Sequence, residues 1–193
     1  MMRVMAHRKF FRGGTRLQER SRMNNAHNAH NARNARFEQL LQDLDLSFEE
    51  DIRPGANYEV AVENAGEIYV SGMIPRMRGV IAGTGRVGQE TSLQQARHAA
   101  QISTLRALAI LRKSLGNLER VKRVLRMTVY VQSAADFTQQ SEVADAASDI
   151  LYAVFAPDGG HTRTSVGVYQ LPKNASVELD MVVAIHPAAS AAG

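Results

Sequence analysis

The stretch "GGHTRTSVGVYQLPKNASVELDMVVAI", from Gly159 to Ile185, alternates with period two on either side of a short polar break. That period belongs to β-strands, whose successive side chains point to opposite faces. Val166 and Val168, then Val177, Leu179, Met181 and Val183, form an apolar set, and Arg163, Ser165, Gly167, Glu178 and Asp180 form a polar one. Taking "LPKN" as a four-residue connection, the stretch predicts a hairpin with Arg163, Ser165 and Gly167 on the same face as Glu178 and Asp180. A slip of one residue would turn Val177, Leu179 and Met181 away from the core, so the apolar pattern protects the register. The small residues Ser165 and Gly167 leave space beside the charges. Spacing alone leaves two readings open, a solvent-facing ladder of ion pairs and a ligand site.

Upstream, Phe137 to Phe155 has helical periodicity, and "RVLRMTVYVQ" reads as a strand with Leu125, Met127, Val129 and Val131 opposed to Arg126, Thr128 and Tyr130. A long helix runs to Leu115. Thr91 or Ser92 caps it, Gln94 or Gln95 completes a capping box, and Gly116 ends it. Its buried stripe is Ala96, Ala100, Leu108, Leu111 and Leu115. "YEVAVENAGEIYVSG" gives two strands turning at Asn64-Ala65-Gly66. The order β-β-α-β-α-β-β predicts an α+β fold: a mixed sheet with both helices on one face and a bare opposite face for a partner subunit to cover.

Several motifs carry less than they suggest. "GTGRVG" (Gly83 to Gly88) spells a dinucleotide fingerprint, but the helix begins after it and no acid stands near Leu108, so it reads as a flexible loop. The run "RKSLGNLERVKRVLR" lacks interleaved aromatics and reads as a solvated helix end. The six histidines, His98 and His161 among them, show neither metal-ligand spacing nor a nucleophile–base arrangement. His98 reads as a surface residue.

At 193 residues the chain has room for one good-sized core. Zero cysteines exclude a disulfide framework, thiol catalysis and cysteine-ligated metal, in keeping with a cytoplasmic protein. No apolar run is long enough for a membrane span. Of the 23 Lys and Arg, nine fall in residues 1–36 against one of the 19 acids, Glu19, leaving 14 basic and 18 acidic residues for 37–193. The basic balance therefore belongs to the tail, which ends in the low-complexity repeat "NNAHNAHNARNAR". Residues 1–36 are expected to be a disordered tail with Met23 as an alternative start, and His27 and His30 to be repeat drift rather than metal ligands. Residues 37–187 are expected to form one domain, opening with an amphipathic helix from Phe37 that carries Leu40, Leu41 and Leu44; residues 188–193 are expected to be a short flexible tail.

The stretches "ANYEVAVENAGEIYVSGMIP", "GTGRVG", "GNLERVKRVLRMTVYVQSAADFT", "VADAASDILYAVF" and "HTRTSVGVYQLPKNASVELD" together resemble the YjgF/RidA family, also called the endoribonuclease L-PSP family, in its longer branch. The resemblance implies a chorismate-mutase-like fold and a homotrimer with clefts at the subunit interfaces, where reactive enamines and imines such as 2-aminoacrylate are hydrolysed to keto acids and ammonia without metal or cofactor. It also implies site residues. Arg163 in "RTSVGVYQLP" matches the cleft arginine that would clamp a carboxylate, and Glu178 matches the glutamate that would orient water. Tyr58 matches a cleft wall, Gly72 a backbone contact, and Ser165 a position often held by cysteine. Ser141 stands where better-known members place an asparagine, and "APDGG" lengthens the chain before Arg163, so the substrate is expected to differ. Two other activities belong to the same resemblance: non-catalytic binding of a small carboxylate metabolite, and ribonuclease action. The acidic balance of 37–193 argues against a nucleic-acid partner.

Overall fold

The computed structural model describes residues 31–48 and 57–187. The expectations for residues 1–30, including Met23, His27 and His30, and for residues 188–193 lie outside the described residues, whereas residues 32–36, expected to belong to the disordered tail, are helical and hydrogen-bonded to the fold through Arg33 and Arg36. Helix α1 (Ala32–Asp43) begins ahead of Phe37 and buries Phe37 and Leu41. Strands β1 (Ala61–Asn64) and β2 (Glu67–Met73) form a hairpin. Its two linking residues, Ala65 and Gly66, have φ of 50° and 83°, the left-handed pair that matches the twist of a two-residue hairpin turn. The short β3 (Arg76–Met77) and β4 (Val80–Ile81) pair with each other.

Helix α2 (Leu93–Leu115) starts at Ser92, whose Oγ accepts from the Gln95 amide at 3.2 Å while Gln95 Oε1 accepts from the Ser92 amide at 2.9 Å. This capping box satisfies two donors that a helix start otherwise leaves unpaired. Gly116 ends the helix at φ 83°, and the expected stripe from Ala96 to Leu115 is buried. Strand β5 (Val121–Gln132), helix α3 (Gln140–Phe155), strand β6 (Thr162–Val168) and strand β7 (Val177–Ile185) complete the order. A bulge in β5 shifts the register between Val124 and Arg126, so Val124 enters the core and Leu125 is left half-buried.

The main sheet has the order β1-β2-β7-β5-β6, antiparallel except for the β5–β6 pair. It is a mixed sheet in an α+β fold, with α2 packed on β2 and β7 and α3 on β5 and β6. Strand β7 alternates as read, burying Val177, Leu179, Met181, Val183 and Ile185. The expected hairpin between β6 and β7 does not form, because β5 lies between them. Helix α3 returns the chain parallel to β5, as a strand–helix–strand crossover must. The next connection is then held around the end of β5, where Gln132 Oε1 accepts from the Leu171 amide (2.8 Å) and Gln132 Nε2 donates to Asn174 Oδ1 (2.6 Å).

The faces differ accordingly. Arg163, Ser165 and Gly167 stand opposite Met127, Val129 and Val131, on the face that the helices cover. Glu178 and Asp180 stand opposite Tyr130 and Thr128, on the other. The expectation that the five polar residues share one face is therefore overturned. Val166, expected in the core, is 39% exposed on the uncovered face. The space over Gly167 is not free either, since a Cβ there would sit 3.0 Å from Gln140 Nε2 and 3.2 Å from Ser133 Oγ. The uncovered face also shows Val62 and Tyr69, about half exposed.

The glycine-rich segment at 83–88 is pinned rather than loose. The Gly85 amide donates to Asn174 O (2.9 Å), the Val87 amide to Gln132 O (2.8 Å), and the Ser176 amide to Gly83 O (3.1 Å). Its glycines serve φ near +90° and close packing.

Candidate active site

The candidate residues gather in two places. In the first, Arg163 on β6 lies against α3. Its Nη1 donates to Asp145 Oδ1 at 2.8 Å and to Ser148 Oγ at 3.0 Å. Asp145 and Ser148 are three residues apart, one helical turn, so they share the face that meets β6. His161 Nδ1 lies 2.9 Å from the Gly159 carbonyl, which only accepts, so Nδ1 carries the hydrogen and Nε2 of the neutral ring accepts from Ser148 Oγ at 3.0 Å. The polarity of this chain runs from Arg163 through Ser148 and His161 to a backbone oxygen. Ser141 Oγ lies 3.4 Å from Ser165 Oγ beside it.

The loop between α3 and β6 sets this corner. A Cβ at Gly159 would lie 2.6 Å from the Tyr152 Cα, so only glycine allows the loop to close on α3 and place its carbonyl under His161. The added residues 156–160 thus build the support of Arg163 rather than a separate wall.

In the second place, Tyr58, Gly72, Arg76, Arg106, Lys173 and Glu178 line a cavity of about 270 Å³. Gly72 is needed for the acid, since a Cβ there would fall 2.1 Å from Glu178 Oε1. Burial pushes the Glu178 carboxyl above its ordinary pKa, and the charge of Asp180 pushes it further. Asp180 itself accepts a 3.0 Å hydrogen bond from the Tyr130 hydroxyl, which is raised first by its own burial and then by that bond. A carboxyl raised in this way holds a proton more readily than an exposed one.

The structure therefore brings Arg163, Ser165 and Ser141 together, and Tyr58, Gly72 and Glu178 together, but not the two groups. Residues 48–185 match the family model described as Endoribonuclease L-PSP. The chain belongs to this family. Relatives of this L-PSP chain include Protein TCP17 of Trypanosoma cruzi, 36% identical over 147 residues that make up 76% of this chain and 92% of that one. A crystal structure of a protein of unknown function from Agrobacterium tumefaciens superposes with a TM-score of 0.72 at 32% identity, over 81% of this chain and 94% of that one. The Escherichia coli protein TdcF, solved with bound serine, shares the fold at a TM-score of 0.50 and 22% identity, over 72% of this chain and 97% of that one.

Within the L-PSP chain, sequence reasoning missed Asp145, Ser148 and His161 around Arg163, and Arg76, Arg106 and Lys173 around Glu178. The only signals available were the spacing of Asp145 and Ser148 on one helical face and of His161 and Arg163 on one face of a strand. Among the described residues no helix is long and apolar enough to cross a membrane.

Proposed function

We propose that the chain is an enamine and imine hydrolase of the RidA type, assembled as a homotrimer with each active site formed between two subunits. The observation that carries this reading is the separation of the two half-sites. Arg163 is on the helix-covered face at the edge strand β6, and Glu178 is on the opposite face of β7. A small molecule cannot meet both in one chain, whereas the half-apolar uncovered face, with Val62, Tyr69 and Val166, suits burial against a second copy.

In such a cleft the neighbour's Arg163, oriented by Asp145 and Ser148, takes the substrate carboxylate with two parallel N–H donors. The iminium carbon then faces Glu178. Its carboxylate accepts a proton from the attacking water as the C–O bond forms, returns it to nitrogen, and takes the hydroxyl proton as the C–N bond breaks and the C=O bond forms, that proton leaving with ammonia as ammonium. The products are a keto acid and ammonia. Because such substrates already react with water, positioning and a single proton shuttle suffice.

The test couples the purified protein to a serine or threonine dehydratase and follows keto-acid and ammonia release. Acceleration by the wild type and none by Arg163→Ala is the expected result. No acceleration by the wild type beyond that of Arg163→Ala would sink the reading, and carboxylate binding without turnover would point instead to a metabolite-binding trimer.

A further inference from the structure

The loop between α3 and β6, residues 156–160, supplies the carbonyl that supports His161 and, through Ser148, the Arg163 guanidinium. A segment outside helix and sheet owes its position to side chains that reach it from elsewhere. Several of those side chains belong to α1, a helix that precedes the family match of residues 48–185.

Helix α1 is itself well anchored. Phe37 is fully buried, Leu41 is buried beside it, and the Arg112 guanidinium lies 4.8 Å from the centre of the Phe37 ring. Asn34 Oδ1 accepts from the Leu118 amide at 3.1 Å. From this base two arginines reach the end of α3. That helix has no basic residue in its last turn, and the last carbonyls of a helix find no partner within it. Arg36 Nη1 donates to two oxygens there, Val154 O at 3.1 Å and Ala156 O at 2.8 Å. A cation so placed also meets the negative end of the helix dipole. One turn earlier on α1, Arg33 Nη2 donates to Asp158 Oδ2 at 3.3 Å, and its guanidinium lies 5.5 Å from the centre of the Phe155 ring.

The contacts run on without a gap. The Asp158 amide donates to Phe155 O at 2.7 Å, and Gly159 packs on the Tyr152 backbone. Gly159 O accepts from His161 Nδ1, His161 Nε2 accepts from Ser148 Oγ, and Ser148 Oγ accepts from Arg163. A simpler reading makes α1 only a cover for apolar surface. That accounts for Phe37 and Leu41, but not for Arg36, whose Nη1 sits between two carbonyls at the joint of helix and loop.

We infer that Arg36 and Arg33 are positioning residues for the clamp: α1 braces residues 156–160, and the braced Gly159 carbonyl holds His161 in the tautomer that receives the Ser148 hydrogen. The serine lone pairs then face Arg163. When the brace slackens, His161 loses its acceptor, carries its hydrogen on Nε2 part of the time, and competes with Arg163 for the serine oxygen. The inference rests on the cleft reading above in taking Arg163 as the group that meets the substrate carboxylate.

The test uses the full chain and two readouts: nitrogen NMR of the His161 ring in mildly alkaline buffer, and calorimetric binding of 2-oxobutanoate. Wild type should show the Nδ1–H tautomer, and Arg36→Ala a mixture of the two. Arg36→Ala should weaken 2-oxobutanoate binding about threefold and raise KM in the dehydratase-coupled assay by the same factor at nearly constant kcat, as loss of a binding contact does. Arg36→Met, which keeps the apolar stem, should behave alike. In a Ser148→Ala background Arg36→Ala should add nothing to the loss of affinity, because the path is already cut. Glu38→Gln, which disturbs the contact of α1 with Arg112 and leaves the loop alone, should change neither readout. If the Arg36 variants melt lower but keep the tautomer and the affinity, α1 is only a cover and the brace is overturned. Losses that multiply in the double variant overturn it too. Wild type that binds 2-oxobutanoate no better than Arg163→Ala overturns the cleft reading instead, and the His161 tautomer still decides whether α1 holds the loop.

Discussion

Arg163 and Glu178 are both charged, both on strands and only one strand apart in the sheet, yet they are held in opposite ways. The guanidinium is tied down, with Asp145 and Ser148 accepting from it and His161 accepting from Ser148 in turn. The carboxylate has no such ties. Among the described residues its side chain makes no hydrogen bond or ion pair; it rests over Gly72 in partial burial, with Asp180 as an unfavourable neighbour. One half is a prearranged clamp whose hydrogen bonds already fix its direction. The other is a group raised in energy and ready to exchange a proton. On the proposed reading, a ligand that needs both takes them from different chains.

The comparison can be broken most severely at the clamp. Arg163→Ala is expected to lower kcat/KM by about a hundredfold or more, since a charge-assisted bidentate contact is lost, with thermal stability little changed. Arg163→Lys should not rescue it, because an ammonium lacks the planar fork.

At the other half, Glu178→Gln should lower kcat by roughly a hundredfold, the scale of a single general base. In the wild type kcat should rise with pH through a pKa above the ordinary carboxylate value, and the glutamine variant should show no such limb. Stability has the opposite sign. A raised pKa means that the folded chain binds this proton more tightly than the unfolded one, so stability falls as pH rises from the ordinary carboxylate value through the raised one. Glu178→Gln should therefore melt higher than the wild type at neutral pH, with the difference vanishing in acid.

Gly72→Ala is a subtler probe, because its methyl group takes the position of Glu178 Oε1. Displacing the carboxylate without removing it should cost about tenfold in kcat and leave folding intact, as only the end of a flexible side chain must move. Smallest of all, Ser148→Ala removes the hydroxyl between Arg163 and His161. It should raise KM a few-fold at nearly constant kcat, because Asp145 still holds the guanidinium.

The elements that could be read in advance are those whose signals are local. The Ser92–Gln95 capping box, the Ala65-Gly66 turn and the buried alternation of β7 each depend on residues within a few positions of one another. The neighbour of β6 does not. Period two fixes which residues share a face of a strand but not which strand lies alongside, and Val166 and Val168 belong to an edge strand whose inward side is filled by α3. The same limit applies to the site. Family motifs pointed to Arg163, Glu178, Tyr58 and Gly72, and the last three line one cavity. Asp145, Ser148 and the cations Arg76 and Arg106 reach their places through contacts between distant segments, for which the linear pattern holds no record.

The central claim is that one chain's Arg163 works with another chain's Glu178, and subunit mixing tests it most directly. Arg163→Ala and Glu178→Gln chains, each nearly inactive alone, would be unfolded together and refolded as mixed oligomers. In a three-fold ring with random mixing, one interface in about four pairs an intact arginine with an intact glutamate, so activity should return to roughly a quarter of wild type. Mixed oligomers no more active than their parents would contradict the account.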